Sequence, residues 1–277
     1  TSTAPTNPNP KKPLRFLISS KLRQKEGEHQ LQKLIFFHGK GGVGKSTLAL
    51  ALARAMIAQG KKVLLATLDE PTLPPGDHVY PGSTEVPGFN CNPNAAFEEY
   101  IERTLKIPAL TKLLAKNTLI QLLAKVAPGI KEIVSMGKIW SMREEYDTIL
   151  IDLPSSGYGL TVFHSVRNFM NLFGKGKSFE DSRAMLETLA DPKQVLHALI
   201  TLPEEMPLAE TEEFRGHLLS QFPGASFLWV VNRLMPLDPA PTPPAEARGG
   251  HPRSAESFVY GKALQERENL SRFPWAK

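Results

Sequence analysis

Residues 33–59 read KLIFFHGKGGVGKSTLALALARAMIAQ, and the order of their parts decides the fold. Lys33 to Phe37 is an apolar run of strand length, whereas Ser46 to Gln59 is alanine-rich and helical in composition. Between them, Gly39 to Thr47 satisfies the pattern G-x-x-x-x-G-K-[ST], with an additional lysine, Lys40, directly after the first glycine. Glycines let the backbone curl until the N–H groups of Gly41, Gly42, Val43, Gly44, Lys45 and Ser46 face one anion. The helix that follows presents its positive dipole end to the same place. In such a loop a lysine at position 45 reaches the β- and γ-phosphates, and a hydroxyl at position 46 ligates Mg²⁺. Thr47 closes the binding segment. Strand, glycine loop and helix in that order predict a site for ATP with Mg²⁺ as its metal.

The bulk properties suit that reading. A chain of 277 residues can bury one sizeable core, or one core with an appended helical subdomain. Hydrophobic residues make up 41%, and no apolar stretch reaches membrane-spanning length. The opening segment TSTAPTNPNPKKP lacks the apolar centre of a secretory signal and reads as a polar tail. One cysteine, Cys91, excludes an internal disulfide framework or a multi-thiolate zinc site within one chain, so a reducing cytoplasm is the expected setting. The net charge of +5 is moderately basic, but aromatic and basic residues are not interleaved for base stacking, and nucleic acid is not an expected partner.

Further along, residues 62–68 (KVLLATL) read as a second strand, and the Pro/Gly-crowded residues 71–93 as an extended loop. Residues 94–145 are helical in pattern. Residues 147–153 (DTILIDL), 195–202 and 227–231 read as further strands, with helices over 159–191, 209–219 and 256–271. Strands alternating with helices predict an α/β fold, a mainly parallel sheet with helices on both faces. The expected organisation is a tail with a short helix over 1–30, then one P-loop domain over 31–277. A helical subdomain over about 94–190 is inserted in it, and a Pro/Ala-rich flexible loop spans 236–254. The methionines and leucines of the helical region, Met136 and Met185 among them, suit either an adaptable groove or ordinary core packing. Seven methionines are no enrichment, which favours the core.

In parallel α/β sheets ligands lie beyond the carboxyl ends of the strands, where this chain has Asp69, Asp152 and Asn232. Asp152 follows TILI, the usual place for a carboxylate that holds Mg²⁺ beside a phosphate loop. Asp69 ends the second strand and is the candidate for orienting or deprotonating an attacking water; Glu70 is adjacent and could take that role instead.

Four stretches carry a family resemblance: the loop with Lys40 and Lys45, LDEP at 68–71, IDLPSSGYGL at 151–160, and LPEEMPLAETEEF at 202–214 followed by WVVNR at 229–233. Together they resemble the dimerising P-loop ATPases with a deviant loop, a class that includes septum-site, plasmid-partition and nitrogenase-iron-protein members. Within it the chain is most similar to the arsenical-pump-driving and tail-anchored-protein-targeting ATPases. The third stretch resembles the D-x-x-P-T-G-H switch of that family, and the fourth its E-x-x-x-L-x-E-T-E block.

The resemblance implies a homodimer, or a heterodimer with a paralogue, in which Lys40 reaches the partner's nucleotide as a catalytic residue and Asn232 hydrogen-bonds the adenine. It implies a hydrophobic client segment or a membrane receptor as partner, with at most peripheral membrane contact. Energising a metalloid-anion pump and nucleotide-gated positioning of the septum-site or partition type are the alternatives. The chain departs from the family pattern in three places. Asp-Glu-Pro-Thr at 69–72 stands for D-P-A-H, Ser156-Gly157-Tyr158 for Thr-Gly-His, and Cys91 for the several cysteines of metal-binding members.

Overall fold

The fold is described from a computed structural model over residues 31–68, 70–105, 129–154, 156–173, 175–235, 255–273 and 275. The expected tail over 1–30, the Pro/Ala-rich loop over 236–254 and Asp69 lie outside those residues. The elements in chain order are β1 (Leu34–His38), α1 (Lys45–Ala58), β2 (Val63–Leu68), β3 (Gly76–Val79), β4 (Pro87–Cys91), α2 (Pro93–Leu105) and α3 (Ile130–Ser141). Then come β5 (Thr148–Asp152), α4 (Ser156–Phe173), α5 (Lys177–Ala190), β6 (Val195–Thr201), α6 (Glu205–Gln221), β7 (Ser226–Val231) and α7 (Ala255–Ser271).

Seven strands form one sheet in the order β3-β4-β2-β5-β1-β6-β7, parallel except where β3 runs antiparallel to β4. β1 lies between β5 and β6, with Phe36 opposite Ile151 and His197. The chain leaves β1 toward β2 on one side and later crosses to β6 on the other. The loop after β1 therefore sits where the winding reverses, the position at which such sheets bind ligands.

Alternation along β1 builds two cores at once. Ile35 and Phe37 join Leu65, Leu150 and Ile200 under Ala49, Ala53 and Met56 of α1. Leu34 and Phe36 join Ile149 and Ile151 on the opposite face, together with Ile133, Met136 and Ile139 of α3, Phe163 and Val166 of α4, Met185 of α5 and Phe214 of α6. Met136 and Met185 are thus core residues. So is Cys91, only 1% exposed at the end of β4, whose Sγ lies 3.7 Å from the Ser135 carbonyl.

Two differences from the sequence expectation have physical causes. Residues 71–93 are not one loop: they contain the β3–β4 hairpin, an edge addition whose Gly and Pro residues mask its strand character. Helix α6 begins at Glu205 rather than 209, because Pro207 falls in the first turn, where no intrahelical N–H bond is lost.

A buried polar pair lies under the glycine loop. His38, the last residue of β1, and His197 on β6 are both enclosed, their Nε2 and Nδ1 atoms 3.0 Å apart. The His38 ring packs on Phe214 at 4.7 Å and against α4 at Gly159, where an added Cβ would stand 2.9 Å from the ring. Burial, then the neighbouring His197 and Lys45, hold His38 well below the ordinary imidazole range; burial takes His197 down to about 3. Neutral rings in the folded state and protonatable rings in the unfolded state mean that the unfolded chain binds more protons below about pH 6.5. Stability contributed by these rings is present above that pH and is lost as pH falls. Denaturant titrations are expected to show stability falling between pH 6.5 and 5, by roughly 1.5 kcal/mol from His197, whose ring is held at about 3, with His38 adding in the same direction. A His38→Leu/His197→Leu variant, if folded, should have a flatter profile over that window; an unchanged slope contradicts the assignment.

Candidate nucleotide site

The loop between β1 and α1 has the features an anion site requires. Gly44 precedes α1 with φ of 97°, in the left-handed region that an L side chain rarely adopts, and a Cβ there would collide with the Asn232 amide. No side chain caps α1 and no acidic residue sits in its first turn, so its leading N–H groups remain available to an external anion. Asn232, just past β7, donates from Nδ2 to the Val43 carbonyl at 2.8 Å, and its Oδ1 accepts the Arg233 N–H at 2.9 Å. Arg233 has φ of 57°, the only non-glycine residue in the left-handed region among those described. The strand end thereby grips the apex of the loop. Asn232, expected from the resemblance to meet adenine, makes one bond of this clasp from each end of its amide.

Lys45 and Lys40 face different ways. The Lys45 ammonium is buried, lies 3.2 Å from the Lys40 carbonyl, and has its pKa lowered by burial against an opposing pull from Asp152. Lys40 is on the surface, its Nζ 2.9 Å from Glu210 Oε1 on α6. With the two side chains 55% and 40% exposed, that ion pair is worth at most about 1 kcal/mol and exchanges readily.

Lys45 and Ser46 open onto a cleft of about 510 Å³, lined also by Thr67, Glu70, Thr72, Tyr80, Asp152 and Pro154. Asp152, at the end of β5, is 8% exposed, and its Oδ1 is buried with no hydrogen-bond partner. Burial raises its pKa, offset by hydrogen bonding from Ser46 and by the charge of Lys45. A carboxylate oxygen buried without a partner, beside a serine hydroxyl, is a hard-oxygen donor set. It fits Mg²⁺, which takes one or two protein oxygens and fills the rest of its octahedron with phosphate and water. Ser46 and Asp152 would hold that ion, and the ion would neutralise charge on the phosphates.

Two residues of the site escaped the sequence reading. Asn90 on β4 is 4% exposed and pins the turn after β2. Its Oδ1 accepts from Thr67 Oγ1 and the Glu70 N–H, both at 3.0 Å, while its Nδ2 donates to the carbonyls of Glu70 (2.9 Å) and Leu73 (3.1 Å). Tyr80, at the end of β3, brings a phenol into the same cleft, and burial with the nearby Asp152 pushes it up to about 12. Glu70 faces the cleft too, its Oε1 accepting from the Thr72 N–H (3.2 Å) and hydroxyl (2.8 Å). Gly41, Gly42 and Thr47 are exposed around the loop, whereas Val43 is buried in the core under α1.

Comparison with known proteins agrees with this geometry. Residues 34–80 match the family described as the CobQ/CobB/MinD/ParA nucleotide binding domain. A protein of Mycobacterium tuberculosis named ATPase BagA is 27% identical over 234 residues, covering 76% of this chain and 68% of that protein. A putative arsenical pump-driving ATPase of Aquifex aeolicus is 29% identical, covering 75% of this chain and 82% of its own length. An ATPase ASNA1 homolog of Paramecium tetraurelia is 29% identical over 159 residues, covering 54% of this chain and 47% of that protein. With a parallel sheet and a glycine loop at its switch point, the chain carries a P-loop nucleotide-binding domain and is similar to ATPases of the arsenical-pump-driving and ASNA1 type.

Proposed function

We propose that this protein is a Mg²⁺-dependent ATP switch that works as a dimer and couples nucleotide state to the handling of a client. The observation that carries the reading is the convergence of Lys45, Ser46 and the unpartnered Asp152 oxygen on one cleft at the carboxyl ends of the strands. Loop amides 41–46 cradle the phosphates, Lys45 balances their charge, and Ser46 with Asp152 holds the metal. Water is aimed by a carboxylate after β2, Asp69 or the neighbouring Glu70. Lys40 supports the dimer reading by its exposure: its surface pair with Glu210 costs little to exchange for a partner's phosphate.

Client handling rests on the family likeness, with hydrophobic membrane-protein segments as the fitting class. The recess between α2, α3 and α5, lined by Ala96, Tyr100, Ile133, Trp140 and Met185, holds only about 60 Å³, too little for a helix without rearrangement. A nucleotide-driven movement of these helices would therefore have to precede client binding. The arsenical-pump reading is supported by the names of relatives and opposed by Cys91, the sole thiol, enclosed in the core.

Lys40→Ala is expected to lower kcat for MgATP at least ~100-fold, as loss of a finger-like cation does, with nucleotide affinity within about threefold of the parent. Specific activity of the unaltered protein should rise with its own concentration as dimers form; turnover independent of both would refute the trans-lysine mechanism. Asp152→Asn should raise the Tm of the nucleotide-free protein by about 2–4 °C, since it removes a buried carboxylate charge that costs stability at neutral pH. The same change should abolish any further gain in Tm from Mg²⁺ with ATP, readable by calorimetry. A lower Tm together with an intact magnesium response would show that Asp152 is structural.

A further inference from the structure

Tyr80 belongs to no phosphate-loop pattern, yet the chain takes trouble to place it. It lies where the β3–β4 hairpin turns: its N–H donates to the Val86 carbonyl at 3.0 Å and its own carbonyl accepts the Ser83 N–H at 3.1 Å. Ser83 Oγ accepts from the N–H groups of Glu85 and Val86, both at 3.2 Å, which closes the turn. The ring is sunk in the apolar cluster beneath α1, leaving the residue 8% exposed. It lines the same cleft as Lys45, Ser46, Glu70 and Asp152, and the two carboxylates are close enough to act on its phenol electrostatically. An apolar body anchored in a core with its polar tip delivered to a wet site is how a tyrosine is used when its O–H has a task.

Ser46, whose hydroxyl is expected to ligate the metal, lines that cleft with Tyr80. For a phenol O–H that faces such a cleft, the anionic oxygens of a phosphate are stronger acceptors than a neutral hydroxyl or water. Lysine and serine of a phosphate loop meet the terminal phosphates and the metal. Tyr80 shares their cleft, and Asn232 on the far side of the loop does not.

We propose that Tyr80 is a specificity-determining residue of the nucleotide site, its O–H donating to the terminal phosphate and so favouring triphosphate over diphosphate. The proposal rests on the magnesium–nucleotide reading above. No covalent bond is made or broken.

Titration calorimetry of the full chain and of Tyr80→Phe with Mg²⁺·ATPγS and with Mg²⁺·ADP tests it. The variant is expected to bind ATPγS about three- to tenfold more weakly, as loss of one charge-assisted hydrogen bond predicts, and ADP within about twofold of the parent. In parallel, the near-ultraviolet difference spectrum on adding Mg²⁺·ATPγS should contain a tyrosine band that the variant lacks, because a phenol's absorption responds to its hydrogen-bond acceptor. Unchanged or tighter ATPγS affinity overturns the proposal whatever the spectrum, and so does an equal loss for both nucleotides. Weaker ATPγS binding without the spectral loss overturns it too, since ring packing would then explain the change. Failure of the unaltered protein to bind either nucleotide would instead remove the underlying nucleotide reading, a result distinct from all of these.

Discussion

The hydrogen bond from Asn232 to the Val43 carbonyl, 2.8 Å long, joins the end of β7 to the apex of the glycine loop, and the site is built around it. A loop of this composition has high conformational entropy, and a flexible loop would have to be ordered by each ligand it bound. Here the ordering is prepaid. Gly44 accepts the left-handed turn, the asparagine amide fills the space a Cβ would need, and α1 begins with its amides aimed outward. The sheet supplies the rigidity, because β1 is flanked by β5 and β6 and buried on both faces.

Around that clasp the protein tolerates polar groups that a core would ordinarily reject. Lys45 and Asp152 are buried with their charges only partly matched, and His38 and His197 are buried as neutral rings, each with one nitrogen lacking a partner. Such groups cost stability singly. The gathering of His38, Lys45 and Asp152 at the carboxyl ends of β1 and β5 is the pattern expected where stability is exchanged for chemistry. His38 is also a mechanical link. It touches α6 through Phe214 and α4 at Gly159, and so ties the end of β1 to both helices.

Much of this was legible in the residues. The run from Lys33 to Gln59 announces strand, loop and helix because three independent signals, apolar run, glycine spacing and alanine-rich helix, agree. Asp152 was legible because a carboxylate directly after TILI has few reasons to be there. The β3–β4 hairpin was not, since its strands are short and their Gly and Pro residues belong equally to loops. Asn90 and Tyr80 went with it: neither lies in a spacing pattern, and their importance comes from pairing with β2 and from a turn only the fold creates. Asn232 was legible by position at the end of a strand, whereas its bond to a carbonyl 189 residues away leaves no local trace.

The central claim is that the backbone of residues 41–46 grips a polyphosphate. Residue-resolved hydrogen–deuterium exchange, with and without saturating Mg²⁺ and a non-hydrolysable ATP analogue, measures those amides directly. Slowing of exchange by about tenfold or more across the loop, with β7 little changed, is the expected result. Loop amides that exchange equally fast in the presence of the nucleotide would contradict the account.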